Sequence, residues 1–302
     1  MSDVLKWAVG TFNTSFPGIN WHPPQDFPTP CYSSATPALC AFMGKLWLMH
    51  RGGGTNPNIF YTYYAPTSTS AGEWTNTEPW LIPGKNAGTG PTMAVYGCQL
   101  YSAYLDDIGA ISNFVSNLQT NDGSLNWSPV PSGIGISWIA PKFAAYGNAL
   151  WCAYSDSGNK GLRFSKNSMD GNGWGNESTG PITSASPGFA AYHNKLWCVY
   201  RDEGSNLWVT TSTDGRSWEM PVLLGGQTSD SDPTLCYIPD LDILACVYGD
   251  SKGLQKFYFT YTLGRPDAWS YPIPIDGVAR APGAGAGMAY YQNKFFLAYR
   301  SA

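Results

Sequence analysis

The sequence predicts an all-β fold, a six-bladed β-propeller closed on itself. Three observations carry this reading. A self-similar unit starts at Pro37, Pro91, Pro141, Pro187, Pro233 and Ala286, with spacings of 54, 50, 46, 46 and 53 residues. A Gly-containing turn followed by Trp closes successive units, at Trp74, Trp127, Trp174, Trp218 and Trp269. Charged residues make up only 13% of the chain and aromatics 15%, with 34 Gly and 23 Pro. That balance excludes a disordered chain, which is charge-rich and aromatic-poor. It also excludes a helical bundle, which draws on Ala, Glu, Lys, Leu and Arg.

The unit at Pro187–Trp218 shows the elements most clearly. A first strand begins after Pro187 and ends in the turn Tyr192-His193-Asn194-Lys195. In the second strand, Lys195–Arg201, alternation puts Leu196, Cys198 and Tyr200 on one face. Trp197, Val199 and Arg201 take the other face. Asp214-Gly215 suits a tight turn between the third strand and the fourth. No segment offers a helical period of 3.6 with caps. The fifth unit carries a short insertion before Leu244. The sixth stops half finished at the C-terminus, and the N-terminus supplies the rest. Trp7 to Thr11 reads as a strand, and Phe16-Pro17-Gly18-Ile19-Asn20-Trp21 as its turn and Trp. The expectation is one domain, residues 1–302, whose two ends share a blade and leave no open sheet edge. A seven-bladed ring with one degenerate blade would find no spare residues.

Other classes are excluded in turn. Seventeen basic against 21 acidic residues give a net charge of −4, which disfavours nucleic acid as a partner. No apolar run reaches 18 residues, so no membrane insertion is expected. The start, Met1-Ser2-Asp3-Val4-Leu5-Lys6-Trp7, lacks the basic and apolar regions of a signal peptide. The expected location is the cytoplasm, or release without a conventional signal. Seven cysteines, at 31, 40, 98, 152, 198, 236 and 246, form no CxxC pair and no zinc spacing with His22, His50 and His193. They read as buried, reduced thiols. The sequons at Asn13, Asn126 and Asn176 carry little weight without a secretion signal. No cofactor or metal signature is present.

The string P-A-L-C-A-F-M-G-K-L-W-L-M-H-R-G at Pro37–Gly52 resembles tandem repeats of six-bladed propeller lectins from fungi and bacteria. The turn Ser212-Thr213-Asp214-Gly215-Arg216-Ser217-Trp218 is similar to the Asp-box of sialidase-like propellers. Related turns stand at Ser168–Trp174 and at Thr120-Asn121-Asp122-Gly123 before Trp127. The resemblance covers nearly the whole chain. It implies a propeller and, less specifically, sugar binding. In such boxes the Asp caps a hairpin and the Trp packs between strands.

A sugar offers hydroxyls and apolar CH faces, so its site needs an aromatic plane and short polar groups on a rigid scaffold. The position after each second strand supplies candidates. It reads His50-Arg51-Gly52, Tyr104-Leu105-Asp106, Tyr154-Ser155-Asp156, Tyr200-Arg201-Asp202, Tyr248-Gly249-Asp250 and Tyr299-Arg300-Ser301. One reading is a ring of similar pockets between blades, with Arg or Asp on hydroxyls and Tyr or Trp against the pyranose. The other is structural: the Tyr packs between sheets and the Arg or Asp closes an inter-blade bond. Arg appears only at 51, 201 and 300, and this variation favours a ligand role for those three. The residues after the second-strand leucine, Trp47, Tyr101, Trp151, Trp197 and Phe296, read as inter-blade core, with Ala245 in the fifth unit. Phe60 and Trp208 on third strands fit either role.

The leading function is therefore a non-enzymatic, multivalent lectin, with glycans or glycoconjugates as partners and weak sites added together by valency. A protein-binding scaffold is the second reading. A sialidase or other glycoside hydrolase is the third. It would need arginines converging on one carboxylate, and equivalent positions are expected to lie spread around the ring. The acidic pairs Asp106-Asp107, Asp202-Glu203 and Asp240…Asp242 all fall in loop-like stretches, as solvated surface acids do.

Overall fold

The computed structural model describes residues 3–302 except 13–18, 67–71, 76–78, 83–85, 117–119, 121–122, 132 and 168–172. The turns read at Asn121-Asp122 and Ser168–Asn172, Asn13, and the Phe16–Gly18 turn thus lie outside the described residues. So do the side chains of Asn176 and Glu177.

Six antiparallel sheets of four or five strands form the six blades. Blade 4 is representative: Gly188–Tyr192, Lys195–Arg201, Asn206–Ser212 and Val222–Thr228, paired in chain order. Blade 6 combines Ala286–Tyr291 and Lys294–Arg300 with Leu5–Phe12 and Ile19–Trp21. The register Leu5↔Arg300 through Gly10↔Phe295 joins the two ends of the chain, as the half-finished last repeat predicts. The innermost strands of neighbouring blades pack in a closed ring around an axial cavity of about 110 Å³, lined in part by Thr92, Lys142 and Thr234. Among the described residues the one helix is a short 3-10 turn, Pro239–Leu241. It accounts for the insertion in the fifth repeat. No described helix is long and apolar enough to cross a membrane.

Second strands are buried on both faces, and strand alternation assigns each face to a different neighbour. Leu196, Cys198 and Tyr200 pack with Trp151 and Phe164 of blade 3. Trp197 and Val199 pack with Leu235 and Leu244 of blade 5. Trp47, Trp151 and Trp197 each donate their indole N–H back to the end of the first strand, at Phe42 O (3.1 Å), Tyr146 O (3.3 Å) and Tyr192 O (3.0 Å). A buried indole N–H needs such a partner. The core reading of these residues therefore holds.

First and second strands meet in turns with left-handed central residues, such as His193 (φ 46°) and Asn194 (φ 54°). Two positive φ values in a two-residue loop match the twist of the flanking strands. The Asp-box of blade 4 has the predicted structure. Asp214 Oδ1 accepts the backbone N–H groups of Arg216 and Ser217, both at 2.8 Å. Gly215 sits at φ 72°, and a Cβ there would lie 2.0 Å from Trp151. Trp218 stacks on Phe164 of blade 3, with ring centroids 3.9 Å apart. Equivalent tryptophans bridge blades in the same way. Trp74 meets Phe27, and Trp127 meets Tyr61.

All seven cysteines are free thiols. Cys31, Cys152, Cys198 and Cys246 are buried, whereas Cys98 is exposed. Cys98 occupies a left-handed turn position (φ 61°), where its side chain projects outward, so burial fails as a rule for this one.

Trp218→Ala removes a half-buried ring that spans two blades. It should destabilise the fold by about 3 kcal/mol, read as a lower urea midpoint at unchanged slope.

Candidate functional site

Each blade begins with a short entry loop, for example Ser33–Pro37 or Thr183–Pro187, and these loops share one face of the disc with the turns between second and third strands. The hydroxyls of Ser33, Ser137, Thr183 and Ser229 are each bonded to the backbone carbonyl two residues on, at 2.8 to 3.0 Å. Every predicted site residue lies on this face or just beneath it.

The aromatic ending each second strand faces the preceding blade. It is buried in every case: His50, Tyr104, Tyr154, Tyr200, Tyr248 and Tyr299. Directly across the sheet on the third strand stands a variable residue. The pairs are His50↔Phe60, Tyr104↔Ser112, Tyr154↔Arg163, Tyr200↔Trp208, Tyr248↔Tyr258 and Tyr299↔Lys6. Three of these pairs are aromatic on both strands, and all three line clefts open to solvent.

The cleft between blades 6 and 1 holds about 230 Å³, lined by Tyr32, His50, Asn56, Phe60 and Pro79 among others. The cleft between blades 3 and 4 holds about 390 Å³, between Pro181, Ile182, Tyr200, Asp202, Trp208 and Pro221. The cleft between blades 4 and 5 holds about 220 Å³, with Gln227, Tyr248, Asp250, Lys252, Tyr258 and Pro272 in its walls. Phe60, Trp208 and Tyr258 are half-buried, and Pro79, Pro221 and Pro272 stand two residues before their partners on the outer strand. The same three-part wall therefore recurs. His50 lies parallel to Phe60 (5.7 Å, 23°), and Tyr248 to Tyr258 (5.9 Å, 21°). Pro79, Pro221, Pro272 and Tyr258 escaped the sequence reading. The proline two residues ahead of an outer-strand Leu or Pro is the signal that could have found them.

In the other blades the wall is filled differently. Tyr104 stacks on Phe114, beside Ser112. Tyr154 donates to Ile134 O (2.7 Å), and Arg163 is held by Asp156 Oδ2 (3.0 Å). Tyr299 packs edge-on against Phe257. Lys6 pairs with Asp26 at 3.3 Å.

The predicted aspartates first of all cap turns. Asp106 Oδ1 accepts the N–H groups of Ile108 (3.2 Å) and Ala110 (2.9 Å). Asp156 Oδ1 accepts Gly158 N–H at 2.8 Å, which with Arg163 holds its carboxyl below the usual range. Asp202 accepts Asn206 N–H (2.8 Å) and the Trp208 indole N–H (2.8 Å), so it fixes the ring that walls its cleft. Asp250 accepts the N–H groups of Lys252, Leu254 and Lys256. Burial pushes Asp202 and Asp250 upward, yet these hydrogen bonds outweigh it and keep both below the ordinary carboxylate range.

Arginine does not join the aromatics. Residue 201 follows Tyr200 in the strand and so faces the opposite neighbour. Arg201 donates to Ser184 Oγ (2.9 Å), Ser184 O (3.0 Å) and Ser229 O (3.5 Å) of two entry loops. Arg51 donates to Ala87 O (2.7 Å), to Ser34 Oγ and to Gly54 O. Arg300 reaches Ser34 O and Pro282 O, both at 3.4 Å, and lies 3.7 Å from Asp3. Arg51 and Arg300 thus meet at one loop, closer than an even spread around the ring predicts, because blades 6 and 1 are neighbours. Arg201 stands apart from them. Where blade 5 has Gly249, the guanidinium comes from elsewhere. Arg280 of the next entry loop fills the space, so that a Cβ on Gly249 would lie 2.3 Å from its Cζ. Arg280 is fully buried and donates to Asp230 Oδ1 (2.5 Å), Asp250 O (2.8 Å) and Lys256 O (3.0 Å). The change from Arg to Gly in blade 5 therefore has a packing account.

Among the described residues no three of His, Cys, Asp and Glu come together as a metal ion would need. His50 lies with Nδ1 3.2 Å from Arg51 O, while Nε2 is buried without a partner. Burial pushes its pKa down to about 4.

No family model matches the sequence, and no curated protein matches it significantly. Solved structures do match. AofleA from Arthrobotrys oligospora superposes with a TM-score of 0.65 at 14% identity, covering 89% of this chain and 80% of that one. The Aleuria aurantia lectin, a fungal lectin of six-bladed β-propeller fold, gives 0.62 at 13%, covering 88% and 87%. The Trypanosoma rangeli sialidase gives 0.61 at 12%, over 96% of this chain but only 57% of its own. At such identities the likeness shows the fold, and the propeller is common ground.

Two outcomes follow. Between pH 6.5 and about 4 the unfolded chain takes up a proton on His50 that the folded chain refuses, so stability falls as pH drops through that window. His50→Tyr, the residue type of the other five blades, should remove this part of the slope in urea titrations run across the window. Arg280→Met leaves Asp230 and the loop carbonyls without their buried cation. It should cost about 3–5 kcal/mol, read by thermal unfolding.

Proposed function

We propose that this protein is a non-enzymatic carbohydrate-binding protein whose binding sites are the three aromatic clefts of blades 1, 4 and 5. The observation that carries the reading is the recurrence of one wall, a second-strand aromatic, a third-strand aromatic and an outer-strand proline, at three equivalent inter-blade positions. Aromatic faces pair with the CH faces of a pyranose, and half-exposed rings fixed by their neighbours do so at low entropic cost. Asp202 contributes by locking Trp208 through its indole N–H. Arg51, Arg201 and Arg300 support the clefts indirectly, by fixing the entry loops.

Two further points support binding without chemistry. Asp202 and Asp250, the carboxylates in the cleft walls, are held below the usual range and so are poor proton donors at neutral pH. The Arg51 and Arg201 side chains are spent on backbone carbonyls and serine hydroxyls. The neighbours carry both associations, a lectin with a fucose recognition mode and a sialidase, and the cleft chemistry sides with the first. Three weak sites on one rigid disc would add by valency on a glycosylated surface.

A glycan array followed by red-cell agglutination tests this. Phe60→Ala, Trp208→Ala and Tyr258→Ala should each lower the agglutination titre by about 4-fold or more, and the triple variant should abolish it. Arg201→Ala should lower the melting temperature and leave the affinity for a free monosaccharide unchanged. A blank array with folded protein, or agglutination that no free sugar inhibits, would favour a protein-docking face instead.

A further inference from the structure

One position breaks the symmetry of the propeller axis. The first strands of the six blades come into register at Ala38, Thr92, Lys142, Gly188, Thr234 and Gly287, each opposite the same place on its second strand. Neighbouring first strands approach closely here. A Cβ on Gly287 would lie 2.7 Å from Pro37 O, and one on Gly188 would lie 3.0 Å from the Leu235 side chain. Five blades accordingly use Ala, Thr or Gly, so ring closure does not call for a cation. Blade 3 nevertheless places Lys142 at this position, and it lines the axial cavity of about 110 Å³. Pro37, Pro187 and Pro233, which end three entry loops, line it too, so the cavity lies at the entry end of the axis.

Lys142 Nζ has no hydrogen-bond or ion-pair partner among the described residues, yet it is not sealed inside the protein and keeps surface open to the cavity. The flanking first strands, Thr92–Tyr96 and Gly188–Tyr192, hold no acidic residue, and neither do the other three. The carboxylate that acts on Lys142 is Asp232, in the entry loop before Pro233. Its Oδ2 accepts from Thr36 Oγ1 and its Oδ1 from the Ser186 N–H, both at 3.0 Å, and it stays beyond ion-pair reach of Lys142. Burial pushes the Lys142 pKa down, and Asp232 offsets part of this. A charge taken out of bulk water is retained where something pairs with it. We infer that the axial cavity binds one small monovalent anion, of the halide class, on the Lys142 ammonium. The volume admits such an ion together with waters. A single ammonium balances one negative charge and Asp232 repels a second, which selects a monoanion over sulfate or phosphate. This site is separate from the three clefts and does not depend on what they bind.

The test is thermal unfolding of the full chain at a constant ionic strength of about 0.2 M, with sodium gluconate, a bulkier anion, exchanged for sodium chloride or bromide. Halide should raise the wild-type melting temperature by about 2–4 °C, as a ligand of the folded state does. Lys142→Met, similar in length and uncharged, should erase that gain. Asp232→Asn should enlarge it, because a repelling charge is gone. A crystal of the wild type soaked in sodium bromide needs no variant and should show an anomalous peak in contact with Lys142 Nζ. No halide gain in wild type, or no bromide at Lys142, overturns the inference and leaves the ammonium to water bridges toward Asp232. A gain that survives Lys142→Met also overturns it, as a general effect of salt on the fold. A larger gain with sulfate, lost in Lys142→Met, overturns the monovalent class in favour of a dianion. Sugar binding at the clefts should be the same in Lys142→Met and wild type, so failure here leaves the carbohydrate reading standing.

Discussion

The constraint on which the rest depends is the two-residue period of a strand that is buried on both sides. In each blade the second strand sits between two neighbours and shows alternate residues to each. The aromatic at its end therefore turns to the preceding blade, and the next residue must turn to the following one. Aromatic wall and guanidinium are adjacent in sequence and opposed in space. A pocket that uses Tyr200 cannot also use Arg201, because a one-residue shift would turn the whole strand over.

This opposition divides the entry face between two tasks. One side of each second strand packs an aromatic against the preceding blade, under an open cleft in blades 1, 4 and 5. The other side ties down the entry loops. The tie varies in composition from blade to blade. Arg51 and Arg201 meet Ser34 and Ser184, Ser155 accepts from the Trp138 indole (2.6 Å), and Gly249 yields its space to Arg280. Such compensation across a loop and a strand is a packing solution. It frees the cleft side to vary with the third-strand residue, and Phe60, Trp208 and Tyr258 line open aromatic clefts among the described residues.

Much of the fold was legible because its signals are local and repeated. Blade number follows from the Pro-initiated units, closure from the truncated last unit, and the Asp-box from Ser212–Trp218. Strand faces in Lys195–Arg201 follow from alternation alone. The site was legible in position but not in composition. Reading Tyr200-Arg201-Asp202 as one cluster holds for Tyr200 and Asp202, which line the same cleft, but not for Arg201, which strand alternation turns to the other side. The residues that complete the cleft between blades 4 and 5 come from elsewhere in the chain: Tyr258 on the third strand, Pro272 just before the outer strand, and Gln227 on the outer strand of blade 4. Pairing such as Tyr248↔Tyr258 depends on the length of the intervening turn, and that varies from blade to blade.

The most direct test of the account is the number and place of bound sugars in a crystal soaked with the ligand that an array selects. The account predicts sugar density against Phe60, Trp208 or Tyr258, in up to three clefts, and none against Ser112, Arg163 or Lys6. Density centred on Arg51, Arg201 or Arg300, away from the aromatic pairs, would contradict it.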